Sequence, residues 1–314
     1  MSFSSKVKSE IVKIEYDRAF IKKMELAALV NLIGNISVKY GKMLISLHTE
    51  NPALARKIFS EIKYLYNYTP EISMRRSKKL SKNRVYYIYI SNIFLVERML
   101  KEMGILRVDD DILVIANNVT ELVYEDQSFK RGYLRGAFLA AGSVSDPEKG
   151  YHLEIVDSDY AHAEGLSNLI NSFGLDSKIV ERKGHFVVYL KEGEQISTFL
   201  NIIEAHVSLM EFENVRILKE MRNKVNRVVN CETANLNKVV KASIKQIEDI
   251  ELIDKEVGID NLPESLREVI TLRVEYPNLS LKELGEVSNL KLSKSAINHR
   301  FRKIAEIASQ YRKS

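Results

Sequence analysis

The chain has 314 residues, of which 45% are hydrophobic and 28% charged, and its formal net charge is +5. This length predicts two domains. The charge excess is too small to indicate a class of binding partner by itself. Because Cys231 is the only cysteine, an internal disulfide and a cysteine-built metal site are excluded. The first ten residues lack the apolar core of a secretion signal, and no stretch approaches the length of a membrane span. We therefore expect a cytoplasmic protein.

Two apolar segments rich in small residues resemble each other, Glu25–Ser37 and Tyr133–Ser145. Each contains a glycine followed by a short strand-like run, and these glycines, Gly34 and Gly142, lie 108 positions apart. The small residues are Ala27, Ala28 and Gly34 in the first segment and Gly136, Ala140 and Gly142 in the second. Small residues on one helix face let two helix backbones approach closely, so the pattern predicts a helix–helix contact.

The similarity continues beyond the two glycines. After Gly34 the pattern predicts a strand (Lys42–His48), a helix (Pro52–Tyr66), two strands (Glu71–Arg75 and Val85–Ser91) and a helix (Phe94–Met103). After Gly142 it predicts a strand (Tyr151–Val156), a helix (Asp159–Phe173), two strands (Ser177–Glu181 and His185–Leu190) and a helix (Gln195–Glu204). The fold class is therefore α+β, with two αββαββα-type repeats at about 20–110 and 128–215 in a pseudo-two-fold domain, residues 1–222.

The connection between the paired strands differs between the repeats. In the second repeat it is Arg182-Lys183-Gly184, whereas in the first it is the segment Arg75–Arg84. Six residues of that segment are basic and none is acidic: Arg75, Arg76, Lys78, Lys79, Lys82 and Arg84. A long basic connection suits the phosphate backbone of DNA, and it equally suits a solvated loop.

The segments Leu26–Gly34 and Leu134–Gly142 resemble the paired LAGLIDADG helices of homing endonucleases. In that family two α+β halves form a saddle over DNA, and an acidic residue just before the final glycine binds the catalytic metal. Those positions are Ile33 and Ala141 here, and neither side chain can ligate Mg²⁺. Asp146 and Glu25 lie nearby in sequence but outside the motif positions. The resemblance therefore implies a DNA-shaped scaffold without cleavage, and its saddle favours the basic segment as a DNA-backbone arm.

From Cys231 onward the pattern is helical and predicts a second domain, residues 223–314. A first helix is predicted over Asn235–Ile253 and a second over Leu262–Glu275, with Asn261 as a candidate N-cap and Pro263 in the first turn. Ser280-Leu-Lys-Glu283 is a capping box that opens a helix to about Asn289. After a short turn, Ser293 caps a last helix, Lys294–Arg312. This order is typical of a helix-turn-helix.

The last helix has two different faces. Ile297, Phe301, Ile304 and Ala308 recur at helical spacing and should lie in the core. The candidate DNA-binding residues are Lys294, Ser295, Asn298, His299, Arg300, Arg302 and Lys303, with Arg300 and Lys303 at the flanks as candidate phosphate contacts. From Lys291 to Lys313 there are seven Lys or Arg and one Glu. A solvated face on a plain helical bundle is the alternative interpretation.

The whole chain resembles the WhiA family. The run Asn230–Ala242 looks like that family's signature at the junction between the domains, and Leu292–Arg302 looks like its reading helix. The resemblance implies a regulator that binds double-stranded DNA and is linked to cell division, chromosome segregation or sporulation gene control. It also implies association with the nucleoid and, in some lineages, an iron–sulfur partner of the WhiB type. Nothing in the sequence indicates a cofactor, a small-molecule substrate or a membrane partner.

Two other functions stay open. One is an active LAGLIDADG-type endonuclease, which Ile33 and Ala141 disfavour. The other is a protein-interaction scaffold with a vestigial helix-turn-helix. The six histidines form no metal-binding or nucleophile–base pattern in the sequence, and we interpret His162 and His206 as ordinary, partly buried side chains within helices.

Overall fold

The computed structural model describes residues 1–39, 42–76, 84–109, 112–116 and 118–312. Its contacts divide the chain into two units, Met1–Leu218 and Lys219–Ser314. We call them the body and the C-terminal unit. Among the described residues, no helix is both long and apolar enough to cross a membrane.

The first repeat of the body has the predicted αββαββα order. After a short helix α1 (Phe3–Ile11), its elements are α2 (Ala19–Ile33), β1 (Gly34–Lys39), β2 (Lys42–Thr49), α3 (Pro52–Tyr66), β3 (Glu71–Arg76), β4 (Arg84–Ile90) and α4 (Ile93–Glu102). A two-stranded hairpin that the sequence pattern did not predict, β5 (Leu106–Asp109) and β6 (Ile112–Ile115), follows it.

The second repeat follows the same order. Its elements are α5 (Gln127–Ala141), β7 (Gly142–Val144), β8 (Leu153–Asp157), α6 (Tyr160–Asn171), β9 (Lys178–Arg182), β10 (His185–Leu190) and α7 (Gly193–Ile202). The two four-stranded sheets have equivalent orders, β1-β2-β4-β3 and β7-β8-β10-β9. Gly34 of β1 pairs with Leu47 of β2, and Gly142 of β7 pairs with Ile155 of β8. Each residue of the second pair lies 108 positions after its counterpart in the first pair. The repeat is therefore present in strand order and in register.

Helices α2 and α5 pack against each other at the centre of the body, as the small residues predicted. A Cβ atom on Gly136 would lie 2.3 Å from the carbonyl oxygen of Glu25 and 3.1 Å from the Cβ of Ala28. One helical turn earlier, a Cβ on Gly132 would lie 3.0 Å from Ile21 Cγ2. The two glycines thus allow a backbone approach that any side chain would obstruct.

A buried ion-pair network crosses this helix contact. Arg135 Nε donates to Glu25 Oε2 at 2.9 Å, and both side chains are fully buried. Lys57 Nζ lies 3.2 Å from Glu25 Oε1 and 3.4 Å from Glu61 Oε1. Burial, reinforced by the Glu25 charge, raises the pKa of Glu61 to about 8. Glu25 is therefore a buried structural carboxylate, held by a cation from the second repeat.

A second buried network lies mainly in the second repeat and is joined by one residue of the first. The Tyr133 hydroxyl lies 2.7 Å from His162 Nε2, and His162 Nδ1 lies 2.5 Å from Asp157 Oδ2. Asn31 Nδ2 donates to the Tyr133 oxygen at 2.9 Å. Burial raises the pKa of the Tyr133 hydroxyl above its usual range. His162 is buried rather than partly exposed, and its contacts are those of a satisfied core histidine.

The C-terminal unit is helical. Helix α8 (His206–Glu256) begins in the body and continues into this unit, where α9 (Glu264–Glu275), α10 (Leu281–Val287) and α11 (Lys294–Tyr311) follow. Ile250 and Ile253 of α8 join a core of apolar residues from α9, α10 and α11, including Val269, Leu284 and Phe301.

Two sequence predictions here were wrong. The helix predicted over Asn235–Ile253 begins at His206; residues 220–238 are all exposed, so no buried stripe connects the start of the helix with the predicted segment. Asn261 does not cap α9, which has Pro263 at its N-cap position and no side-chain cap. Instead, Asn261 Nδ2 donates to the carbonyl oxygen of Val257 at 2.6 Å, after the end of α8.

Candidate nucleic-acid interface

The turn between α10 and α11 is fixed by close backbone contact. A Cβ on Gly285 would lie 2.0 Å from the carbonyl oxygen of Leu292, so only glycine allows the turn to pass this close to α10. The buried Ser288 hydroxyl donates to the Gly285 oxygen at 2.9 Å and accepts from the Leu292 amide at 3.0 Å. Lys291 adopts a left-handed φ of 44° within the turn. These contacts fix the orientation of α11 relative to α10.

Capping then defines both helix starts. The capping box of Ser280 and Glu283 is present at α10, and Ser293 Oγ accepts from the Ala296 amide at the start of α11. Both caps were predicted from the sequence. The capping hydrogen bonds hold the pKa of the Glu283 carboxyl below its usual range.

Arg273 holds the connection between α9 and α10 in place, and no sequence pattern indicated this role. Its side chain is 1% exposed. Nη1 donates to the carbonyl oxygen of Leu279 at 2.7 Å and to that of Pro277 at 3.2 Å, and Nε donates to Gln246 Oε1 at 2.9 Å. Burial lowers the pKa of Arg273. The guanidinium thus donates hydrogen bonds to backbone carbonyls of the α9–α10 connection and satisfies these acceptors.

The two faces of α11 are arranged as the sequence predicted. Ile297, Phe301, Ile304 and Ala308 are all buried. On the other face Lys294, Ser295, His299, Arg302 and Lys303 are exposed, and Asn298 is half-buried. At the start of the helix, a surface cavity of about 530 Å³ is lined by Leu281, Ser293, Lys294, Ser295 and Asn298. The basic and amide side chains therefore project from a firmly packed helix.

Arg300 differs from its neighbours on α11. Its Nη1 donates to Glu268 Oε2 at 2.7 Å, and the Arg300 side chain is only 18% exposed. This ion pair joins α11 to α9. The contact assigns Arg300 to packing between the helices, in contrast to the phosphate contact expected from its place at the helix flank.

In the body, three residues of the basic segment are described. Arg76 pairs with Arg84 in the strand register, and Arg75 pairs with Val85. The Arg75 guanidinium lies over the Tyr87 ring, 5.3 Å from its centroid. Lys78, Lys79 and Lys82 lie outside the described residues.

Ile33 and Ala141 are the last residues of α2 and α5, directly before Gly34 and Gly142. The two motif positions expected from the sequence to carry metal ligands are therefore apolar residues at the helix ends. Within the described ranges, His, Cys, Asp and Glu form no group of three that could hold a metal ion.

Three domain families match successive parts of this chain. They are the WhiA N-terminal LAGLIDADG-like domain at residues 21–106, the WhiA LAGLIDADG-like domain at 130–222 and the WhiA C-terminal HTH domain at 225–308.

Full-length relatives and a solved structure agree with these matches. A probable cell division protein WhiA from Alkaliphilus metalliredigens is 49% identical over 313 residues, which is 99% of each chain. One from Clostridium acetobutylicum is 48% identical over 314 residues, covering 100% of this chain and 99% of the relative. The crystal structure of full-length DUF199/WhiA from Thermatoga maritima matches with a TM-score of 0.60 and 27% identity, covering 99% of both chains. Since the domain matches and the relatives span nearly its whole length, this chain belongs to the WhiA family.

Proposed function

We propose that this protein is a sequence-specific regulator that binds double-stranded DNA through α11 and acts in cell division, chromosome segregation or sporulation gene control. The observation that carries the proposal is the exposed face of α11, which presents basic and amide side chains from a helix whose other face is buried. Relatives named as probable cell division proteins support the biological setting. The same proposal places the protein on the nucleoid. A WhiB-type partner is a prediction from family resemblance, which co-purification would test.

Within α11, the side chains divide into two roles. Arg302, Asn298 and His299 have the hydrogen-bonding groups that read base edges in the major groove. Lys294 and Lys303 are cations suited to phosphate contacts, which position the helix without specifying sequence. Arg300 is left out of this set because it is paired with Glu268.

Titration of the full-length protein with a bound genomic site and with a random duplex tests this assignment. Replacing Arg302 with Ala should cost about 1–3 kcal/mol on the specific site and little on the random one. Lys303→Gln is the matched control, because losing a phosphate contact should weaken both duplexes alike and flatten the salt dependence. Unchanged specific affinity in folded Arg302→Ala protein would contradict the proposal.

The proposal includes the absence of nuclease activity, since Ile33 and Ala141 offer no carboxylate at the metal-ligand positions. Incubation with a plasmid that carries bound sites, in Mg²⁺ or Mn²⁺, should leave it uncut. Nicking that persists through purification and disappears in an Asp146→Ala variant would identify an endonuclease instead.

A further inference from the structure

The first sheet has one face that its helices do not cover. On β2 and β4, Ile45, Leu47, Ile88 and Ile90 are fully buried beneath the helices. Because strand side chains alternate, the intervening residues point the other way. His48, Tyr87 and Tyr89 lie on that opposite face, and Arg75 lies there on β3. We call this surface the outer face of the first sheet.

The aromatic rings on the outer face form a row. The Tyr87 and Tyr89 centroids are 6.2 Å apart, with 10° between the ring planes. His48 continues the row at 6.1 Å from Tyr87, with 27° between the planes. The Arg75 guanidinium lies 5.3 Å from the Tyr87 centroid. His48 is exposed and both tyrosines are half-exposed, so the rings are open to a ligand.

Such a row suits flat, unpaired bases. Every base has a π face, so stacking on aromatic rings binds single strands with little regard to sequence, and nearby arginines contribute phosphate contacts and cation–π attraction. Arg76 and Arg84, which pair at the strand ends, alternate to the opposite face, so Arg75 is the arginine of this row. The acidic residue of this face is Glu71, on the edge strand opposite Tyr89. Paired bases in a duplex could not lie on these rings, whereas a single strand could.

We propose that the outer face of the first sheet binds single-stranded DNA, with Tyr87, Tyr89 and His48 as the stacking platform and Arg75 as the adjacent cation. The choice of DNA rests on the proposed function, in which the same chain binds duplex DNA through α11.

The matching face of the second sheet has a shorter row, in which the His152 and Tyr189 centroids lie 5.9 Å apart and Lys191 lies over the Tyr189 ring. The strand registers place Val187 where the first sheet has Tyr87, and Glu154 where it has Ser46. Glu154 accepts from Ser143 and pairs with His152 at 3.0 Å. Tyr189 occupies the position of Tyr89, next to this central carboxylate, which would repel phosphate. The second sheet therefore provides a control within the same molecule.

The test uses the full-length protein and a fluorescent oligothymidylate of about twelve nucleotides, within the usual site size for one such surface. Tyr87→Val and Tyr89→Val should each weaken binding about tenfold, because each removes one stacking ring. Tyr87→Phe should bind as the wild type does, since the ring remains. Tyr189→Val, the equivalent change in the second sheet, should have no effect. Valine suits a strand, and no substitution alters the charge, so neither misfolding nor lost electrostatic attraction is expected.

The outcomes separate this inference from the proposed function. Arg302→Ala should lose specific duplex affinity and keep oligothymidylate affinity, while the tyrosine variants should show the reverse. If Tyr87→Val and Tyr89→Val bind oligothymidylate like the wild type, or if Tyr189→Val loses as much, the platform is disproved. Tighter binding of oligouridylate that depends on the same tyrosines would assign the face to RNA and overturn the proposal.

Discussion

At matching positions in the two repeats, 108 residues apart, α3 buries Glu61 and α6 buries Leu169. On the same two helices, Ile58 matches Leu166 and Ile62 matches Ile170, and all four are buried and apolar. Both helices also begin with a capping side chain, Asn51 in one and Asp159 in the other. The shared apolar positions and caps fix the backbone of each repeat. The core position between them can nevertheless hold a carboxylic acid in one repeat, Glu61, and an apolar side chain in the other, Leu169.

The buried polar networks also occupy different positions in the two repeats. Tyr133 of the second repeat matches Glu25 of the first, and His162 matches Leu54. Each repeat buries a polar group only where its own partners satisfy it, Glu25 with Lys57 and Arg135, and His162 with Asp157 and Tyr133. Buried polar chemistry is thus mostly local to each repeat, apart from the hydrogen bond of Asn31 with Tyr133 and the ion pair of Arg135 with Glu25, both of which reach from one repeat to the other.

The largest expected effect comes from removing the cross-repeat ion pair. Arg135→Ala, which installs the residue found at the matching position, Ala27, should lower the free energy of unfolding of the body by about 3–5 kcal/mol. The reason is that Glu25 would keep a buried charge with only Lys57 beside it. Urea unfolding measures the loss.

A double-mutant cycle supplies the control for Arg135→Ala. In a Glu25→Gln background the same change should cost much less, because no carboxylate is left without its partner. An equal cost in both backgrounds would show that Arg135 acts by packing alone and that its ion pair with Glu25 does not stabilise the contact between the repeats.

The second prediction concerns the connections between the strand pairs. Replacing Arg75, Arg76, Lys78, Lys79 and Lys82 with Ser or Gln should weaken binding to a long duplex about ten- to a hundredfold, because phosphate contacts would be lost. A short duplex that covers only the helix-turn-helix site should be barely affected. Affinity titrations with the two lengths distinguish an arm from a general charge effect.

The second repeat again provides the matched control. Replacing Arg182 and Lys183 with Ser in its short turn should leave both affinities nearly unchanged. Equal loss on the long and short duplexes, or no loss on either, would leave the first repeat's basic segment as a solvated loop.

The repeat was readable from the sequence because it depends on local patterns. Apolar alternation and glycine spacing located α3, α6 and both sheets to within a few residues. The capping box at Ser280 and the buried face of α11 were also predicted, because each is set by residues within a few helical turns.

Other features could not be read because they depend on distant residues. The partner of Arg135 is Glu25, which is 110 positions away. Arg273 is buried because backbone carbonyls after its own helix turn toward it. Arg300 pairs with Glu268 on another helix. All three arginines resemble surface residues in the sequence, and only the tertiary fold shows which charges are committed to internal contacts.

The third prediction uses the contrast between Glu61 and Leu169. The folded-state pKa of Glu61 is raised to about 8 from an ordinary 4.5, so between these values the folded protein holds a proton that the unfolded chain has released. The stabilising contribution of that proton is complete below pH 4.5 and is lost as the pH rises through 8. Glu61→Gln cannot titrate and should avoid this loss.

Unfolding measurements at pH 5 and pH 9 check the sign. The stability of Glu61→Gln relative to wild type should be greater at pH 9 than at pH 5, because the folded wild-type protein must release this proton above pH 8. Leu169→Gln serves as the comparison, since it adds no titrating group. A pH-independent difference for Glu61→Gln would mean that Glu61 is ionised in the folded protein.

The smallest expected effect lies in the tight turn of the second repeat, which the first repeat does not share. Lys183 and Gly184 have left-handed φ values of 55° and 75°. Such a conformation costs a non-glycine residue about 1–2 kcal/mol, except that Asn tolerates it through local hydrogen bonds. Lys183→Asn would create the Asn-Gly pair favoured in two-residue hairpin turns, and it should raise the free energy of unfolding by about 0.5–1 kcal/mol. Lys183→Ala removes the same charge without relieving the backbone strain at this left-handed position, so it should not raise the free energy of unfolding. If both variants are equally stable in urea, the turn is not strained, and the short connection of the second repeat imposes no conformational cost.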